Sequence, residues 1–403
     1  MAATVRRAGV ATLSGLLLVV SGGAAEGNSP GWSQSGGGPG STAAVVSPGN
    51  LSPSTVTNLA LDYSVSVGGY VTQSPAVVGG VVYAGTLRGH VIAIGADSGR
   101  TRWRARLCDG RQPAYNGAEE TSPAVGAGAV FVLGDLGVLT GIRLAAPHDV
   151  VVCVSIPGAA SGAGWSPTVA GGVVYASTAT HLAAVDATTG VVLWTRALPA
   201  GYAAASNVVV DRGLAFLAAN SVGGNVGHVL AYAAATGQPR WSARTGSYVS
   251  ALAAADGRVI AGGWTVQAFT EASGAVAWTS TVHGAVAVTI SGNRVVIAGG
   301  EATPTQGSLL ALDATTGARL WRAPIGSEEE SQPSAGGGVT YLTDLDSGTV
   351  FMNRLSDGHL LAVIGHPGGY YDQLGTPVVV DGHIYLFTQG GSSSNLDRWS
   401  TAS

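Results

Sequence analysis

The side chains able to do chemistry are few, and their spacing points to recognition more than to catalysis. The eight histidines stand at 90, 148, 181, 228, 283, 359, 366 and 383, and no two have the separation of a zinc motif. No nucleophile elbow between a strand and a helix and no phosphate-binding glycine loop is legible. Asp344-Leu345-Asp346-Ser347-Gly348 has the acidity of a calcium loop, but it lacks the downstream Glu and its Gly is misplaced, so it reads as a polar hairpin turn. Covalent and metal catalysis are therefore not signalled. The recognition candidates are Tyr70, Tyr115, Glu119, Glu120, Trp165, Tyr248, His283, Glu328, Glu329, Glu330, Tyr370, Tyr371 and Asp372. Aromatic walls with a few polar groups suit a ligand site. Polar residues also collect in loops for no functional reason, though this does not account for so many Tyr.

Each of these residues lies just ahead of a recurring strand, and the recurrence defines the fold. Ala, five residues, Gly, three residues, Trp occurs as Ala93-Gly99-Trp103, Ala184-Gly190-Trp194, Ala231-Gly237-Trp241, Ala268-Gly274-Trp278 and Ala311-Gly317-Trp321. Between Ala and Gly sit turns such as Asp186-Ala187-Thr188-Thr189, whose side chains can bond their own backbone. Upstream come a Ser-Pro strand (Ser74-Pro75, Ser122-Pro123, Ser166-Pro167) and a second strand after a Gly-Gly or Asp-Gly turn, as at Asp381-Gly382. Four short strands at a period near 40 residues make a propeller blade. Eight repeats can be laid out. The second has Asp149 for Gly and Cys153 for Trp, and the seventh has Ala362 for Trp. The eighth runs out near Trp399. Its missing outer strand is supplied from residues 61–67, with Tyr63 at the Trp position, which closes the ring and removes a free edge.

The pattern resembles the pyrroloquinoline-quinone-like (quinoprotein alcohol dehydrogenase-like) β-propeller repeat family, over roughly residues 50–403. The resemblance implies an all-β, eight-bladed propeller of four-stranded antiparallel blades. It also implies that Trp103, Trp194, Trp241, Trp278 and Trp321, with Tyr63, lock each blade to its neighbour. The connections carrying the recognition candidates should converge on one mouth of the central channel, where the quinone enzymes hold their cofactor. Those enzymes use an adjacent Cys-Cys pair and a calcium ion, and this chain has no Cys-Cys. The expectation is a non-catalytic propeller that binds a small ligand or a partner protein, with no cofactor. The alternative is a reduced quinoprotein dehydrogenase using pyrroloquinoline quinone (PQQ) with calcium.

Composition limits the setting. Only 10% of the 403 residues are charged, the net charge is −4 and all nineteen basic residues are Arg, so a basic face for nucleic acid is not apparent. Arg6-Arg7, an apolar stretch over 8–20 and Gly23-Ala24-Ala25 read as a signal peptide over 1–25. Residues 26–49 read as a Gly/Ser-rich linker. A secreted or cell-envelope monomer with no stable membrane span after cleavage follows. In that setting Cys108 and Cys153 are a candidate disulfide, two buried thiols being the alternative.

Overall fold

A computed structural model describes residues 31–402, apart from 46, 72, 109–120, 135, 160–163, 224–225, 281, 283–284, 301–306, 326–330, 346, 366–372 and 391–392. The proposed signal peptide lies outside the described residues. Eight antiparallel sheets form the eight blades of a propeller ring. Blade 1 runs inside to outside as Ala76–Val78, Val81–Thr86, His90–Gly95 and Thr101–Arg106. The burial of each strand follows its place in the blade. Val81–Thr86 is buried throughout, as befits a strand covered on both faces, whereas Thr101–Arg106 is mostly exposed. Blade 8 is built from Gln373–Val380, His383–Gly390 and Ser393–Thr401, and its outer strand is Leu59–Ser66. The chain ends thus close the ring within one sheet. The Asp381-Gly382 turn has φ of 50° and 81°, the paired positive values that a tight hairpin of this twist requires.

The reading of residues 26–49 as a flexible linker needs correction over its described part. Trp32 and Gln34 are 2% exposed and Ala43 is fully buried. This segment touches all eight blades. Gly31 pairs with Val78 of blade 1. Ser33 O accepts from Val125 N of blade 2, and Gln34 Oε1 accepts from Val169 N of blade 3. Pro39, Gly40, Thr42, Ala43 and Ser47 carbonyls accept from Val210, Ala254, Ile290, Ala335 and Asp381 of blades 4 to 8. Its glycines serve close approach, since a Cβ on Gly40 would stand 2.4 Å from Ala254 O and one on Gly31 2.5 Å from Val77 O. All these contacts fall near the first-to-second strand turns. The segment therefore plugs that end of the channel, and the face with the connecting segments lies opposite.

Candidate functional site at the channel mouth

Two kinds of segment reach the connection face: the connections between blades and the turns between second and third strands. Of the recognition candidates, Tyr70, Trp165 and Tyr248 are described. Tyr115, Glu119, Glu120, His283, Glu328, Glu329, Glu330, Tyr370, Tyr371 and Asp372 lie outside the described residues. Tyr70 O accepts from Leu87 N, and Trp165 N donates to Ser177 O at 3.4 Å, so each is tied by backbone to its own blade's second strand or the turn after it. Tyr248 meets Trp264 edge-on, with ring centres 6.2 Å apart and planes at 84°.

Trp264 was not among the candidates. It sits in the turn between Arg258–Gly263 and Val266–Thr270 and is 54% exposed. The repeated tryptophans Trp194, Trp278 and Trp321 are at most 8% exposed. A second aromatic pair stands on blade 4. Tyr202 and His228 are 5.0 Å apart, with 3.2 Å between the phenol oxygen and Nε2, and His228 Nδ1 lies 3.0 Å from Ser242 Oγ. Burial, and then Arg244, holds the His228 imidazole below its ordinary range. Trp264 and His228 open on the same face as the connections, so the repeat register could have found them had the second-to-third turns been weighed too.

The repeated aromatics sit at the seams between blades. Trp194 Nε1 donates to Ala234 O of the next blade, Trp241 to Glu271 O, Trp278 to Ala314 O and Trp321 to Leu355 O, at 2.6–3.0 Å. Tyr63 repeats this across the closure, with its hydroxyl 2.7 Å from Ala96 O. Each ring lies over the hairpin glycine of the following blade: a Cβ on Gly237 would come 2.5 Å from the Trp194 ring. Trp103 departs from the pattern. Its ring packs 6.0 Å from Tyr83 just as Trp194 packs 6.1 Å from Tyr175, but among the described residues its Nε1 makes no bond to blade 2, where Asp149 replaces Gly. Cys108 and Cys153 form a disulfide with Cα atoms 5.9 Å apart, joining the exit of blade 1 to the outer strand of blade 2.

One buried charge lies at the opposite, plugged end. Glu271 stands three residues after Ala268, where the other regular repeats place Ala96, Ala187, Ala234 and Ala314. It is 3% exposed, and neither carboxylate oxygen has a hydrogen-bond donor. Arg212 Nε is 3.9 Å away. Burial first, then neighbouring Asp211, pushes its carboxyl up to about 8. Beside it Asp211, Arg212 and Asp256 line a groove of about 550 Å³ with Pro39, Gly40 and Thr42 of the plug.

The quinone and calcium of the alternative reading can be set against two observations. Both cysteines are used in a disulfide spanning 45 residues, so no adjacent pair exists. Among the described residues, no three His, Cys, Asp or Glu side chains are grouped to hold a metal ion. No helix among the described residues is long and apolar enough to cross a membrane.

Comparison with known proteins agrees with this architecture. The family profile described as outer membrane protein assembly factor BamB, of the PQQ_2 repeat type, matches residues 20–147, 143–263, 181–363 and 262–397. No curated protein matches the chain. Quinohemoprotein alcohol dehydrogenase from Comamonas testosteroni superposes with a TM-score of 0.74 at 14% identity, over 93% of this chain and 81% of that one. A europium-containing methanol dehydrogenase gives 0.72 at 13% identity, over 93% and 98%. BamB from Moraxella catarrhalis gives 0.61 at 15% identity, over 85% and 99%. At these identities the likeness concerns the fold.

Proposed function

This chain belongs to the PQQ-like β-propeller repeat family, and from that premise we propose that it is an exported, non-catalytic binding propeller that receives a ligand or partner protein at the connection face. The observation that carries this reading is Trp264, a half-exposed indole braced by Tyr248 in a fold that buries most of its repeated tryptophans. An exposed aromatic face on a rigid ring binds polar rings and cations at small entropic cost. The plug supports the same reading, because it occupies the opposite end of the channel. Glu119, Glu120 and Glu328 to Glu330, which precede first strands in the sequence, are proposed to make the mouth acidic, suiting a cationic or sugar-like ligand or a basic segment. Thermal-shift screening of sugars, peptides and quinones tests the proposal. Trp264→Ala and Tyr248→Ala should abolish any stabilisation found while leaving the unliganded Tm nearly unchanged. A ligand that stabilises both variants as strongly as the parent binds elsewhere.

The likeness to quinoprotein dehydrogenases favours the second reading, a reduced PQQ-dependent oxidoreductase. Adding PQQ with calcium separates the two: appearance of the bound cofactor's absorbance would favour the dehydrogenase.

A further inference from the structure

Blade 1 concentrates positive charge as no other blade does among the described residues. Arg100, Arg102, Arg104 and Arg106 lie on or beside its outer strand and Arg88 in the turn before its third strand, together five of the nineteen basic residues in a chain of net charge −4. Elsewhere Arg143, Arg212, Arg354 and Arg398 pair with carboxylates. Among the described residues, Arg88, Arg102, Arg104 and Arg106 pair with none. Asp97, close in sequence, is engaged by Arg398 at 3.2 Å. Uncompensated like charge costs self-repulsion and creates a local potential that attracts an anionic partner.

Strand geometry gives part of this charge a repeat. Arg104 and Arg106 alternate along one strand, so their side chains share a face at a step of roughly 7 Å, and Arg102 sits beside them at a β-bulge between the Ala93 and Ile94 pairings. Arg102 is steadied by Gly80 O at 3.2 Å and Arg104 by Val67 O at 3.0 Å. His90 lies opposite Arg106 in the adjacent strand, its Nδ1–H donating to Arg88 O at 2.8 Å. Burial holds its imidazole below the usual range, with Arg104, Arg106 and Arg88 acting in the same direction. The strand is the last of its sheet, so its outer backbone edge is unpaired. Among the described residues, none of the exposed large hydrophobic side chains belongs to blade 1, which argues against a membrane surface, where cations work beside inserted apolar groups.

We propose that the outer strand of blade 1 accepts an extended acidic segment of a partner protein, added as a further strand with carboxylates at alternate positions over Arg104 and Arg106 and with Arg88 and Arg102 beside them. This surface is separate from the mouth, so its test leaves the mouth reading untouched. The intact protein would be titrated by fluorescence anisotropy with a labelled Glu-Val-Glu-Val-Glu peptide, with a Glu-Pro-Glu-Pro-Glu peptide of equal charge that lacks the strand-forming amides, and with phosphatidylglycerol vesicles. Binding of the valine peptide should weaken by about tenfold between 50 and 300 mM salt. It should weaken by about tenfold again in the double variant Arg88→Gln/Arg106→Gln, whose side chains make no hydrogen bond to the fold and whose Tm should match the parent. The proline peptide should bind far more weakly than the valine peptide. Equal binding of the two peptides, undiminished binding to the variant, or binding to vesicles alone would each overturn the proposal.

Discussion

The seams of blades 3 to 7 and the seam between blades 1 and 2 solve one packing problem with different chemistry. At Trp194, Trp241, Trp278 and Trp321 an indole covers the next blade's glycine and donates to its hairpin carbonyl, so apolar burial and one hydrogen bond are combined in a single side chain. At blade 2 the glycine is Asp149 and the tryptophan is Cys153. No glycine seats the blade 1 indole on that hairpin, and among the described residues Trp103 makes no hydrogen bond to blade 2, although it keeps the same contact with Tyr83 that Trp194 makes with Tyr175. The Cys108–Cys153 bond crosses there. A covalent staple can hold a seam without a glycine on the far side, which makes the departure from the repeat tolerable. Loss of repeat residues thus marks a change of fastening more than a weak blade.

Breaking the ring itself should have the largest effect. Deleting residues 50–67 removes the outer strand of blade 8 and the Tyr63 seam together, and this truncation should fail to show a cooperative melt near the parent Tm. A truncation that melts like the parent would sever closure from stability. Next comes the staple. Cys108→Ser with Cys153→Ser releases a 45-residue separation, worth about 4 kcal/mol in loop entropy, read from urea midpoints. Trp194→Ala should cost about 3–5 kcal/mol, as for other buried large aromatics. Trp103→Ala should cost visibly less, since that indole lacks both the glycine seat and the carbonyl. Equal losses at Trp103 and Trp194 would remove the distinction between the two kinds of seam.

Glu271 sharpens the comparison within the Trp241 seam, because its own carbonyl receives that indole. Its carboxyl titrates near 8 when folded, against an ordinary value of 4.5. The folded chain therefore binds more protons than the unfolded one between these values, and stability falls as pH rises through that window. Glu271→Gln removes the dependence, so it should gain on the parent by on the order of 4 kcal/mol between pH 5 and pH 9, seen as diverging Tm values. A constant difference across that range would mean that the carboxyl is not displaced. The smallest effect is expected at Trp165, half-buried in a connection, where Ala should cost less than about 1 kcal/mol by differential scanning calorimetry.

The repeat made the architecture legible because a blade is a local object. Its hairpins are set by Asp, Thr and Gly over a few residues, and its Trp recurs at one offset, so the eight blades and the closing strand over Leu59–Ser66 can be read directly from the chain. The Ala-to-Glu exchange at 271 is also visible in that register, though the meaning of the exchange is not. Burial, Arg212 and Asp211 come from other parts of the chain and give the carboxyl its environment. The N-terminal segment shows the limit more sharply. Composition gives Gly, Ser and Pro, which suits a linker. Yet in the ring, eight inner strands converge and present backbone N–H groups at one end, where a strip with few side chains fits against them. Trp264 and the arginines of blade 1 are alike in this respect. Their residue types are written in the sequence, but their exposure and grouping depend on which turns share a face and which strand is left at the rim, and only the closed tertiary structure decides that.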